Sequence, residues 1–333
     1  MVKRRRFQYL RTLQGTCIQP YLEAPELLRL KGVGMHCGLE YTSFPFYNTL
    51  SHFPFSRYEH SLGVASICLR FSNDPKVAIS ALFHDISTPC FAHVVDFLHG
   101  DYTKQEYTEG ATASIIGSSS FITSRLRQDG LTVDDVADYH RYPIADNDSP
   151  NLSSDRLEYS LSNFLRFNLL PYAKVRQLYD DLTLGINEEG EPEICFRHLD
   201  KAEEFAHYAL KNGAIYSADE DRFAMEYLAS TLKEAFALGL LEEKDLMGDE
   251  PTLIAKLTSS PNGKALWDDF RSLSLLKKSA LPFEGGIQIA GKLRYINPYV
   301  LGKGRVSSLS RTIKREIDSF LSFDFGLYLK RQD

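Results

Sequence analysis

Apolar residues recur at three- and four-residue spacing over five stretches of this chain, and that period constrains its fold more than any other feature. The stretches are "SLGVASICLRF" (61–71), "PKVAISALFHDI" (75–86), "SSDRLEYSLSNFLRF" (153–167), "LDKAEEFAHYALKNG" (199–213) and "RFAMEYLASTLKEAFALGLL" (222–241). Side chains returning at that period line one stripe of a helix, and each stripe must be buried against a neighbour. Pro75 suits a first helical turn, Ser153 and Ser154 can cap the helix that follows them, and Gly213 suits a helix stop.

Strand patterns are scarce. "GIQIAGKLRYINPYVL" (286–301) alternates between glycine bounds and predicts a small hairpin, while "GINEEGEPEI" (185–194) is a surface turn that suits a short one. The expected fold is therefore all-α, a helical bundle with a helical C-terminal extension and a small β-hairpin. The polar loop "RYPIADNDSPNLSSD" (141–155) is expected as a hinge between helices and not as a domain linker.

Composition limits the function classes. A chain of 333 residues, 43% hydrophobic and 25% charged, can bury a sizeable core and is not expected to be mainly disordered. A net charge of −6 gives no general footprint for nucleic acid, which is not an expected partner. The basic run "VKRRRF" near the start reads as a solvated end. The residues after it lack an uninterrupted apolar run, and no window approaches the length of a membrane span, so neither a signal peptide nor a membrane partner is expected. The five cysteines (Cys17, Cys37, Cys68, Cys90, Cys195) are odd in number and widely spaced. That pattern predicts reduced thiols in a cytoplasmic protein, with no disulfide frame and no cysteine-ligated zinc.

Histidines are crowded. Six of the nine, His52, His60, His84, His93, His99 and His140, lie between residues 52 and 140. Neutral imidazole is a common metal ligand, and carboxylates complete sites for borderline and hard cations. In "ALFHDISTPCFAH" (81–93), His84 and Asp85 are adjacent. Neighbours on a helix point about 100° apart, so both reach one ion only where the helix is ending, as Ser87, Thr88 and Pro89 imply here. An isolated His-Asp pair is otherwise an exposed helix terminus. Helices carrying His60, His84-Asp85 and Asp155 can converge in a bundle interior, where metal sites are commonly built. His52 and His99 read as surface or cap residues and His140 as a structural histidine.

"SRYEHSLGVA" (56–65), "LFHDISTPCFAH" (82–93) and "SSDRLEYSLSN" (153–163) occur in that order. They resemble the three signature segments of the HD superfamily of metal-dependent phosphohydrolases, in the form seen in the dGTP triphosphohydrolase and SAM- and HD-domain dNTP triphosphohydrolase branch. "PELLRLKGVGMHCGLEY" (25–41) resembles the segment before the first histidine, and "KLRYINPYVL" (292–301) weakly resembles the C-terminal region. The resemblance implies an HD core over residues 1–170 and a mainly helical extension over 171–333. It implies metal ligands at His60, His84, Asp85 and Asp155, holding one divalent transition metal ion per chain: Fe, Mn, Ni, Co or Zn. It also implies phosphate or sugar contacts at Arg57, Arg156, Tyr159 and Asn163, the last standing where the family has Asp. His93 and Asp96 keep family positions. Thr88 replaces one family histidine and Glu109 another, so the resemblance leaves the catalytic acid or base to His93, Asp96 or Glu109. An oligomer is implied by analogy alone.

Three functions follow as expectations. The first is a phosphohydrolase that cleaves a phosphate ester or anhydride of a nucleotide, including a deoxynucleoside triphosphate. The second is a regulatory protein that binds metal and nucleotide without turnover. The third, two-iron oxidative cleavage, needs further ligands, and Thr88 stands where one would naturally come.

Overall fold

The computed structural model describes residues 13–51, 55–100 and 110–332. Its helices begin where capping chemistry allows. Helix α1 (Arg57–Phe71) starts with a capping box: the Ser56 hydroxyl accepts from the Glu59 amide at 3.3 Å, and the Glu59 carboxylate accepts from the Ser56 amide at 3.2 Å. Helix α2 (Pro75–Phe83) opens on proline, with Asp74 accepting from the Lys76 amide at 2.9 Å. It packs against α1, with Val77, Ile79, Leu82 and Phe83 buried. The short α3 (Val94–Leu98) follows the turn after α2. Helix α4 (Ser154–Arg166) is capped by Ser153, whose hydroxyl accepts from the Arg156 amide at 3.2 Å, and it packs against α1.

The second half wraps this core. Helix α5 (Leu199–Tyr216) packs on α4, and α6 (Asp219–Ala237) packs on α3. Gly213 does not stop α5. A Cβ at that position would lie 2.5 Å from the Arg294 carbonyl oxygen and 2.8 Å from the Phe320 ring, so the glycine admits a passing chain within the helix instead. The sequence reading took a close-packing glycine for a terminator.

The all-α expectation needs correction. Strands β1 (Leu182–Ile186) and β2 (Pro192–Phe196) form an antiparallel hairpin across the predicted turn, with Leu182 opposite Phe196 and Ile186 opposite Pro192. β2 also pairs in parallel with a short β4 (Tyr299–Val300), which turns back on β5 (Gly304–Arg305) to complete a four-stranded sheet. A second sheet joins β3 (Leu276–Ser279) to β6 (Tyr328–Arg331). The hairpin expected over 286–301 does not form. Residues 288–298 instead run as an irregular strap between the Ile287–Leu329 bridge and β4. Its alternation serves packing against α5 and α6, with Ile289 and Ile296 buried, and not a strand partner of its own.

One buried cluster joins α1 to α2, a second joins α1 to α4 and α5, and a third packs α3 against α6. Each fully buried phenylalanine or leucine there contributes about 1.5–3 kcal/mol, which fixes the helices that carry the polar residues between them. The five cysteines are free. No helix among the described residues is long and apolar enough to cross a membrane.

Candidate metal centre

His60 lies in the first turn of α1. One turn later, Gly63 brings α4 close: a Cβ there would sit 2.5 Å from Glu158 Cγ. The approach places the Glu158 carboxylate on His60 Nδ1 at 2.5 Å. His84 is the C-cap of α2, and its Nδ1 donates to the Ala81 carbonyl at 2.7 Å. Each Nδ1 faces an acceptor and so carries a proton, which turns both Nε2 atoms toward one point. Asp155, in the first turn of α4, reaches the same point.

The donor atoms are spaced as ligands of one ion. His60 Nε2 and His84 Nε2 are 3.2 Å apart, and Asp155 Oδ1 is 2.9 Å from the first and 3.7 Å from the second. Donors about 2.1 Å from a transition metal ion are separated by about 3.0–3.4 Å along a coordination edge, so two of the separations match that edge and the His84–Asp155 one, at 3.7 Å, is slightly longer. His60, His84 and Asp155 therefore form a possible metal site. Asp85 stands at its edge, with Oδ2 at 3.4 Å from His84 Nε2 and 3.9 Å from His60 Nε2. Its carboxylate also accepts from Arg57 Nη1 at 3.0 and 3.1 Å, and its Oδ1 accepts from the Thr88 hydroxyl at 2.8 Å.

The electrostatics call for a positive charge. Burial disfavours protonated His60, yet the hydrogen bonds it donates to Asp155 and Glu158 outweigh it and raise its pKa to about 10. Burial also opposes ionised Asp85, but Arg57 first, then His84 and His60, hold its carboxyl well below the usual range. Asp155 is likewise lowered against burial, chiefly by His60. A proton trapped between carboxylates occupies the place where a cation of higher charge fits better.

Two hollows meet at this centre. A polar outer cleft is lined by Asp85, Thr88, Tyr139, His140 and Arg156. A second, more apolar hollow, the inner chamber, is lined by His36, Tyr47, Phe97, Phe167, Tyr216 and Asp221. Arg57, His93, Asp155, Tyr159, Lys292 and Arg294 border both. The last two come from the 288–298 strap.

The predicted residues divide accordingly. His93 lies between the hollows, and its Nδ1 meets the fully buried Asp96 carboxylate at 2.9 Å. Burial lowers the His93 pKa, Asp96 opposes, and the Arg294 and Arg57 charges lower it further, so the ring is neutral at pH 7. Tyr159 borders the centre, and burial pushes its phenol up to about 12, which leaves the O–H intact. Asn163 lines the inner chamber and donates to the Tyr216 hydroxyl. Arg57 holds Asp85 through Nη1, while Nη2 makes no hydrogen bond among the described residues. Arg156 is otherwise engaged: it pairs with Asp146 at 3.1 Å and donates to Asn147 and to the Asn151 carbonyl. The acids beside these arginines in sequence play other parts, Glu59 in the cap and Glu158 on His60. His140 pairs with Asp146 at the mouth of the cleft, and His99 is exposed. Glu109, His52 and the "VKRRRF" run lie outside the described residues.

Sequence reasoning missed Glu158 as the support of His60, and it missed His36, Asp221, Lys292 and Arg294 altogether. The signal for Glu158 was its three-residue spacing from Asp155, one helical turn on the same face. Asp221 left no local signal, because its helix reads as ordinary amphipathic sequence.

Comparison with known proteins agrees with this geometry. Residues 57–157 match the HD domain family. The chain is 25% identical over 213 residues to the uncharacterized protein YdhJ of Bacillus subtilis, a match covering 63% of each chain. The match thus spans less than two thirds of that relative. It is also 26% identical over 297 residues to the metal-dependent phosphohydrolase cns2 of Cordyceps militaris, covering 85% of this chain and 80% of the relative. His60, His84 and Asp155 all lie inside the segment that matches the HD domain family.

Proposed function

We propose that this protein is a metal-dependent phosphohydrolase that hydrolyses a phosphate ester or anhydride of a nucleotide. The observation that carries the reading is the convergence of two imidazole Nε2 atoms and the Asp155 carboxylate at the junction of a polar cleft and a more apolar chamber. A relative named as a metal-dependent phosphohydrolase supports it.

His60, His84 and Asp155 would hold the ion, with Asp85 as a further ligand once its Oδ2 turns from Arg57. When bound, a divalent ion acidifies water and offsets charge on a phosphoryl oxygen. Arg57 offers its Nη2 edge to a phosphate oxygen, a geometry a guanidinium suits. His93 is poised as a base: Asp96 takes the Nδ1 proton in a hydrogen bond and leaves the Nε2 lone pair to orient the attacking water. Tyr159 donates its O–H to the same phosphate. Arg156 fixes the mouth loop through Asp146, Asn147 and Asn151 rather than gripping substrate. The residues described contain the parts of a hydrolase centre, and this favours turnover over a regulatory role without it.

The test is direct. Purified protein supplied in turn with Mn, Co, Ni, Zn or Mg is assayed for phosphate, pyrophosphate or triphosphate release from a panel of nucleoside mono-, di- and triphosphates. Release that requires a divalent ion and is lost in His84→Ala is the expected result. Absence of release with every ion and nucleotide overturns the reading.

A further inference from the structure

The inner chamber carries acceptors that the protein itself does not satisfy. Asn163 is buried, its Nδ2 donates to the Tyr216 hydroxyl, and its Oδ1 has no hydrogen-bond partner. Asp221, on the first turn of α6 and only 8% exposed, accepts from the Tyr47 hydroxyl at 3.0 Å through Oδ1. Its Oδ2 makes no hydrogen bond among the described residues. His36 Nε2 is also buried without a partner, and burial with the Arg166 and Arg57 charges lowers its pKa to about 3, so the ring is uncharged. Buried polar atoms are nearly always paired, and two unmet ones, Asn163 Oδ1 and His36 Nε2, lining a single cavity beside the uncommitted Asp221 Oδ2, point to a ligand that pairs them.

The walls between these atoms are flat and apolar. Phe167 packs against both His36 and Tyr216, with ring centroids at 5.7 and 6.4 Å, and Phe97 closes another side. Aromatic faces of this kind hold planar rings by stacking. Polar recognition at the edge of such a ring then falls to the unmet atoms.

We infer that the inner chamber reads hydrogen-bond donors on a planar ring of the substrate, with Asp221 as the specificity-determining residue for a ring amino group. The inference rests on the reading of the adjacent centre as a phosphohydrolase, because the phosphate held there directs the rest of the substrate inward. A ring amino group donates to Asp221 Oδ2, and a second ring N–H or sugar hydroxyl donates to Asn163 Oδ1. A ring carbonyl at the same place would face acceptors and be repelled. Burial pushes the Asp221 carboxyl up to about 7, against Tyr47 and Arg222, and a ligand N–H supplies the hydrogen bond that the ionised form lacks.

The experiment uses ring pairs that differ only by amino against oxo: cytidine and uridine 5′-monophosphate, and adenosine and inosine 5′-monophosphate. Binding to the full chain is measured by equilibrium dialysis in chelator, which prevents turnover. The wild type is expected to bind the amino member of each pair about tenfold more tightly. Asp221→Asn keeps the acceptor for Tyr47 and turns an N–H into the chamber, so the preference inverts; Asp221→Ala removes it. Circular dichroism confirms that both variants fold. Equal binding of both members by the wild type, a preference that Asp221→Asn leaves within about twofold, or no binding of any probe overturns the inference. Hydrolysis of bis(p-nitrophenyl) phosphate with Mn or Co, which has no ring amino group, is run alongside. Hydrolysis without ring preference leaves the phosphohydrolase reading standing and removes this one. Ring preference without any hydrolysis does the opposite.

Discussion

His60 Nε2 and His84 Nε2 face each other at 3.2 Å, although their residues are 24 positions apart in the chain and belong to different helices. The arrangement is imposed from behind. Glu158 and the Ala81 carbonyl each fix an Nδ1 proton, and this leaves no rotation by which either ring could turn its second nitrogen away. Two such nitrogens beside the Asp155 carboxylate are stable together only when a positive charge lies between them, and the predictions below begin from that requirement.

Replacing any of His60, His84 or Asp155 with alanine is expected to lower metal content to well under half an ion per chain and hydrolysis by about a thousandfold or more. Elemental analysis of the purified variants, paired with phosphate release, checks both numbers. Chelation of the wild type should produce the same loss, reversed on adding back a divalent ion.

Glu158→Gln keeps the shape of the side chain but weakens the charged hydrogen bond to His60 Nδ1. Metal affinity is expected to fall about 10–100-fold, as it does when support behind a histidine ligand is removed. Competition with a chromogenic chelator measures it. Unchanged affinity would mean that Glu158 serves packing alone.

His93→Gln should leave metal content intact while reducing kcat by about 100-fold or more. The pH profile gives a second check. The neutral ring is the active form, and its pKa is held below the ordinary 6.5, so activity should be level near neutrality and fall only toward acid. Loss of that acid limb in the variant identifies His93 as its source.

Glu40 predicts a pH-dependent stability. Burial, with the Glu250 charge adding, raises its carboxyl from 4.5 to about 8. A raised folded pKa means that Glu40 contributes fully below the unfolded value and that this contribution is lost as pH climbs through the folded one. The wild-type melting temperature should therefore decline between about pH 5 and pH 9, and Glu40→Gln should flatten the decline by about 3 °C or more. Calorimetric scans of both proteins across that range decide it.

Gly213→Ala tests the strap. Alanine is the better helix former by about 1 kcal/mol, yet its Cβ would collide with the Arg294 backbone oxygen. The variant should lower kcat/KM by about tenfold or more through displacement of Lys292 and Arg294, with helical content unchanged by circular dichroism. Wild-type kinetics would show that the strap tolerates the shift.

Much of the centre was legible in the chain. The capping residues Ser56, Asp74 and Ser153 set where three helices begin, because caps and periods are written in neighbouring residues, and the resemblance of the segments around them pointed to His60, His84 and Asp155, the three residues of the possible metal site. The partners of the charged groups were not legible. Arg57 turned to Asp85 and not to Glu59, and Arg156 turned to Asp146 and not to Glu158, since an ion pair is chosen by which helices pack together.

The sequence by itself thus determined the helices, their starts and the residues able to bind a cation. Only the tertiary structure decided that Phe196 pairs with Val300 in a sheet, that Gly213 admits the strap, and that His36, Asn163 and Asp221 line one chamber. Local period and capping depend on residues a turn apart. Strand register, close approach and the walls of a cavity depend on segments more than fifty residues apart, which share a place only once the whole chain has packed.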